Sequence, residues 1–137
     1  MDGYRPEHAP VKGLRDLPHL NWWLLLGRLW LLATVVICLV PLPPSPFLVE
    51  GSDKLEHALG WLLITLWFAQ LTRSPQALLA RACGFVALGA AIELAQSLTT
   101  WRSADLADLV ANMLGVILGV AIGLSPAGRI LQRLDRP

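Results

Sequence analysis

Three short stretches of this sequence hold residue types that can do chemistry. Asp53-Lys54-Leu55-Glu56-His57 places carboxylates, an ammonium and an imidazole within about one and a half helical turns. Glu93 and Gln96, followed by Ser97, form a second group, and Arg102, Asp105, Asp108 and Asn112 form a third. His57 is the one histidine in these groups and the natural general base, with a carboxylate such as Glu93 or Asp108 to orient it. The catalytic candidates are therefore His57, Glu93 and Asp108. A binding site would draw on the wider set Asp53, Lys54, His57, Glu93, Gln96, Arg102, Asp105, Asp108 and Asn112. Acids outnumber bases six to two here: Glu50, Asp53, Glu56, Glu93, Asp105 and Asp108 against Lys54 and Arg102. A phosphate site made only of basic groups does not fit that balance. No cofactor is evident, but imidazole and carboxylate donors suit a divalent cation. The cysteine and histidine spacing of a structural zinc site is absent, as are a nucleophile elbow and a His-Glu-x-x-His pair.

The elements that must position these groups follow from composition. The chain has 137 residues, 55% hydrophobic and 15% charged, against about 25% charged in an ordinary soluble domain. That excludes disorder, which needs low hydrophobicity and high charge. A net charge of +1 excludes a nucleic-acid partner, and two cysteines exclude a disulfide scaffold. A membrane protein remains. Four apolar runs, 22–40, 55–71, 77–98 and 105–124, are each near the roughly 20 residues a membrane-crossing helix needs. Short links between them predict an all-α, up-down-up-down four-helix transmembrane bundle. Twenty-odd polar residues before the first run, Arg28 inside it and a proline cluster after it argue against a cleaved leader.

The basic residues give a direction. Arg5, Lys12, Arg15, Arg73, Arg81, Arg129, Arg133 and Arg136 fall on one side of a four-span chain, and Lys54 and Arg102 on the other. Both termini are then cytoplasmic. The expected organisation is a cytoplasmic N-terminal tail (1–21), a membrane domain (22–124) and a cytoplasmic C-terminal tail (125–137), in a multi-pass membrane protein. Within the N-terminal tail, Leu14 and Leu17 among Lys12, Arg15 and Asp16 give a short amphipathic surface segment. Cys38 and Cys83 read as buried free thiols too far apart in depth to pair.

This topology carries all three polar stretches to the outer end. Helical phase then turns them inward. Asp105, Asp108, Asn112, Gly115, Gly119 and Gly123 fall within an arc of about 80° at 100° per residue. The stripe has a polar head, with Asp105 also placed as an N-cap, and a glycine tail that lets another helix approach closely. The run 77–98, rich in small residues, is the expected partner. Ala82, Gly89 and Glu93 share one face there, and Asp53, Glu56, His57, Gly60 and Ile64 share a face of the second run. Glu93 lies about 7 Å below the interface and Asn112 about 10 Å, at 1.5 Å per residue. A carboxylate facing lipid at the centre of a span would cost about 2.5–3.5 kcal/mol or more, and intramembrane ionisable groups are functional candidates by default.

These residues resemble the VanZ-like family of small bacterial membrane proteins. Asp53-Lys54-x-x-His57 with Trp61 four residues on looks like its first signature. Glu93-x-x-Gln96, Arg102 and Asp108-x-x-x-Asn112-x-x-Gly115-x-x-x-Gly119 look like its second. The order and spacing agree across about 65 residues. Thr99-Thr100-Trp101 stands where many members have a proline before the arginine. The resemblance implies a small polytopic protein of the cell envelope. The family takes its name from an accessory determinant of teicoplanin resistance.

Three functions fit the residues. The first is a site in the outer leaflet that binds or shields the head of a lipid, a lipid-linked envelope intermediate or a lipoglycopeptide. The second is a transferase or hydrolase acting on such an amphiphile, with His57 as base. The third is a structural subunit that offers its glycine stripe to another membrane protein or to a second copy of itself.

Overall fold

The computed structural model describes residues 12–41, 52–101, 103 and 105–134. They form four long helices: α1 (Leu20–Leu39), α2 (Ser52–Leu71), α3 (Pro75–Ser97) and α4 (Leu106–Leu124). A 3-10 turn (Pro126–Arg129) and a short α5 (Ile130–Leu134) follow. The described residues contain no strand, and the one β-type contact is an isolated bridge between Leu14 and Thr72. Expected and observed helix starts and ends agree within three residues. The stops are local. Ser74 caps α3, its Oγ accepting from the Ala77 N–H at 3.2 Å, with Pro75 in the first turn where its missing N–H does no harm. Asp105 caps α4, its Oδ1 accepting from the Ala107 N–H at 2.8 Å.

Three of the helices, α1, α3 and α4, are long and apolar enough to cross a membrane. The fourth, α2, has the length but opens on Asp53, Lys54, Glu56 and His57. It packs against all three of the others. It buries Trp61, Ile64, Thr65, Phe68, Ala69 and Leu71, whereas α1 buries only Gly27. That glycine lets the Trp67 indole lie across α1, where its Nε1 donates to the Trp23 carbonyl at 3.1 Å.

The tightest seam joins α2 to α4. A Cβ at Gly115 would collide with the Ala58 carbonyl, one at Gly119 would lie 2.5 Å from Thr65 Cβ, and one at Gly123 would lie 2.6 Å from Ala69 Cβ. The glycine stripe therefore receives α2, not the small-residue helix α3 that sequence had nominated. The reason is a complementary stripe on α2: Ala58, Thr65 and Ala69 recur on one face at helical spacing. Thr65 turns its hydroxyl back to the Trp61 carbonyl at 2.7 Å, which leaves its methyl for the seam. The small residues of α3 serve another purpose. Ala82 and Gly89 are buried, but Gly84, Ala87, Ala90 and Ala91 lie on the outside.

The bundle end opposite the three polar stretches is closed by the two flanking segments. Residues 12–19 are amphipathic as expected, and lie on the bundle itself: Leu14 and Leu17 join the core at 7% and 6% exposure, while Lys12 and Asp16 stay exposed. The Arg15 N–H donates to the Leu71 carbonyl, and the Arg73 N–H to that of Gly13. On the other flank Gln70 holds two backbone groups, donating to Ala127 O at 2.8 Å and accepting from the Leu131 N–H at 3.1 Å. Cys38 is half-buried, but Cys83 is exposed on the outer face of α3 rather than buried.

Candidate functional site

The site forms where the N-terminus of α2, the C-terminal third of α3 and the N-terminus of α4 meet. Lys54 is its cation. Its Nζ lies 2.8 Å from Asp105 Oδ2, 3.0 Å from Asp108 Oδ1 and 3.4 Å from Asp53 Oδ2. One turn deeper, His57 Nδ1 lies 3.0 Å from Asn112 Oδ1. An amide oxygen only accepts, so the ring proton sits on Nδ1 and donates. The other ring nitrogen, Nε2, then faces Asp108 Oδ2 at 3.7 Å. That spacing is too long for a direct hydrogen bond.

Asp105 is the hub of the arrangement. One carboxylate oxygen caps α4, the other binds Lys54, and its backbone N–H donates to Glu93 Oε2 at 3.2 Å. The Lys54 hydrogen bond, helped by the Ala107 N–H, holds the Asp105 carboxyl below its ordinary value of 3.8. Glu93 reaches the hub from α3. It is buried at 6% exposure, and its second oxygen, Oε1, has no hydrogen-bond partner among the described residues. Ser52 Oγ, at the start of α2, is the only other buried side-chain oxygen among the described residues in that condition. Gly89 makes room for the site: a Cβ there would stand 3.3 Å from Asn112 Nδ2 and 3.6 Å from the Trp61 ring. Trp61, buried at 3% exposure, is the apolar floor.

Seven of the nine binding candidates meet here: Asp53, Lys54, His57, Glu93, Asp105, Asp108 and Asn112. Asp53 stays at the exposed rim, and Glu56 is exposed as well. Gln96 does something else. It is buried, and its Nε2 donates to the Cys38 carbonyl at 2.8 Å, which ties α3 to the last turn of α1. Arg102, Glu50, Arg5, Arg136 and prolines 43, 44 and 46 lie outside the described residues. Sequence reasoning had missed Gly89 as a space-maker, Gln96 as a strut and Gln70 as the C-terminal clamp. Only Gly89 had a signal, its place on the Ala82–Glu93 face.

Chemically, the site is a mostly satisfied ionic knot with two open features. One is the bare Glu93 Oε1. The other is the 3.7 Å gap between His57 Nε2 and Asp108 Oδ2, which is an ion pair when the imidazole is charged. The first calls for a proton donor. Among the described residues no three His, Cys, Asp or Glu side chains are placed to hold a metal ion. Comparison with family models, with curated proteins and with solved structures found no match for this chain.

Proposed function

We propose that this chain is a VanZ-like protein of the bacterial cytoplasmic membrane, with four spans and both termini in the cytoplasm, whose outer end binds the head of an amphiphile. The packing of α2 supports a fourth span. It lies against α4 from Ala58–Gly115 to Ala69–Gly123, so it reaches the same depth as a helix that can cross. Its polar first turns find Asp105, Asp108 and Asn112 rather than lipid, which removes the penalty that a lone charged helix would meet. The separation of basic residues supports the direction. The family reading is supported by contact between its two signature stretches, Lys54 and His57 from one, Asp108 and Asn112 from the other.

The observation that carries the binding function is Glu93 Oε1, a buried carboxylate oxygen that accepts no hydrogen bond among the described residues. Leaving such a group unsatisfied costs at least about 1–3 kcal/mol. A ligand head that brings hydroxyl, amide or ammonium donors recovers that loss. With Asp53, Glu93, Asp105 and Asp108 against Lys54 among the described residues, the site favours a donor-rich head such as an amino sugar or an amine over a bare phosphate. The apolar tail would follow the lipid-facing helices. The test is native mass spectrometry of the protein released from the membrane in mild detergent. Wild type should retain a donor-bearing amphiphile. Glu93→Gln, which keeps an oxygen for the Asp105 N–H but replaces the acceptor with a donor, should lose it by about tenfold, the value of one charged hydrogen bond. Equal retention would refute the reading.

The orientation of His57 favours a second reading, a transferase or hydrolase acting on the same amphiphile. With Nδ1 held by Asn112, Nε2 is free to accept a proton from a substrate hydroxyl or water. Turnover of a radiolabelled lipid extract that vanishes in His57→Gln, with ligand retention intact, would establish it. Binding without turnover in wild type would leave the first reading alone.

A further inference from the structure

The opposite end of the bundle holds a cavity of about 80 Å³, several times the roughly 10–15 Å³ that one water needs. Its walls are Arg15 from the N-terminal segment, Arg73 and Ser74 at the α2–α3 turn, and Arg129 from the 3-10 turn; Leu78 and Gly123 line its apolar side. Among the described residues no carboxylate lines it. Arg73 and Arg129 are exposed, and among the described residues neither has an ion pair or a side-chain hydrogen bond. Arg15 is fixed, its Nε donating to the Thr72 carbonyl at 2.6 Å. Burial, and then the neighbouring Arg129 charge, pull the Arg15 guanidinium below its ordinary value. Three separate chain segments thus bring guanidinium groups around one small space, and two of them, Arg73 and Arg129, meet no anion among the described residues.

Guanidinium groups match phosphate oxygens in geometry as well as charge. The cavity lies at the ends of α2 and α4, and the exposed Leu124 continues its apolar side; in the four-span arrangement proposed above, on which this inference rests, that is the depth of the lipid phosphates. We propose that this cavity binds the phosphate of an anionic lipid headgroup, held by Arg73 and Arg129 with Arg15 behind them. The site lies at the other end of the molecule from the Glu93 cluster and does not depend on what that cluster binds.

Full-length protein in mild detergent, titrated with dioleoyl phosphatidic acid and with dioleoyl phosphatidylcholine and followed by native mass spectrometry, tests this. Wild type should take up one phosphatidic acid with at least about tenfold preference over the net-neutral lipid. The Arg73→Gln/Arg129→Gln variant should lose that preference while its helical circular dichroism and melting temperature stay unchanged. Arg133→Gln, which removes an arginine outside the cavity, should keep it. Excess inorganic phosphate separates the two sources of the anion: failure to displace the lipid marks a headgroup site, and displacement marks a general phosphate site in the same arginines. No preference in wild type, full binding by the double variant, or equal loss in Arg133→Gln would each overturn the proposal.

Discussion

The two ends of the bundle solve the same problem by different chemistry. At the basic end the polar groups are met through the backbone: Gln70 holds Ala127 and Leu131, Arg15 binds the Thr72 carbonyl, and Thr72 returns its hydroxyl to Phe68 O at 2.6 Å. At the acidic end they are met by side chains from three helices, centred on Lys54, His57 and Asp105. Among the described residues the basic end closes without a buried carboxylate. The acidic end uses two, Glu93 and Asp108, each at 6% exposure, and leaves an oxygen of Glu93 unmatched. Closure alone does not require that chemistry. The contrast is therefore the best internal argument that the acidic end does something besides hold helices together.

Four perturbations break or sharpen the contrast. The largest effect is expected along the seam that links the ends. Gly115→Ala forces a methyl onto the Ala58 carbonyl, a backbone atom that cannot swing aside, and should destabilise the protein by about 3 kcal/mol. Gly123→Ala meets only the Ala69 methyl and gains helix propensity, so about 1 kcal/mol is expected. Reversible denaturation in mixed micelles gives both values, and the opposite order would show that the seam is not tightest beside the charged cluster. Next, Asn112→Leu removes the acceptor of the His57 Nδ1 proton and should cost about 2 kcal/mol in the same assay. At the other end Gln70→Leu strips partners from two partly exposed backbone groups. A loss of about 1 kcal/mol is expected, with faster hydrogen exchange at the Leu131 amide and no change at Asp105. The smallest effect is acidic. The Asp105 carboxyl sits below 3.8 in the folded protein, so its contribution is complete above that pH and is lost as pH falls through its folded value. Melting temperature should therefore decline on the acid side, and Asp105→Asn should flatten that decline. A variant with undiminished acid sensitivity would shift the effect to another carboxylate.

Much of the acidic end was legible because helical phase is a strong constraint. Asp105, Asp108 and Asn112 recur on one face, and a face with that polarity has to meet something polar, which Lys54 and His57 supply. The N-cap role of Asp105 was legible for the same local reason. Which helix would receive the glycine stripe was not. Small residues occur on several helices, and only the register of Ala58, Thr65 and Ala69 against Gly115, Gly119 and Gly123 decides between them. Gln96 misled for a related reason: its position on α3 placed it near the cluster, but one turn beyond Glu93 it meets the end of α1. The roles of Leu14, Leu17 and Gln70 depend on contacts between segments far apart in sequence, which no periodicity records.

The Lys54 ion pairs also set an order of events during synthesis. Lys54 is separated from Asp105 by 51 positions and from Asp108 by 54. At about 5–20 residues per second, the partners emerge from the ribosome roughly 3–10 seconds after the lysine. During that interval the α2 ammonium has only its exposed neighbour Asp53 as a partner, while α3 is already apolar enough to settle in a bilayer. The stable home of α2 is created by α4, so the second helix made should be among the last to take its final place.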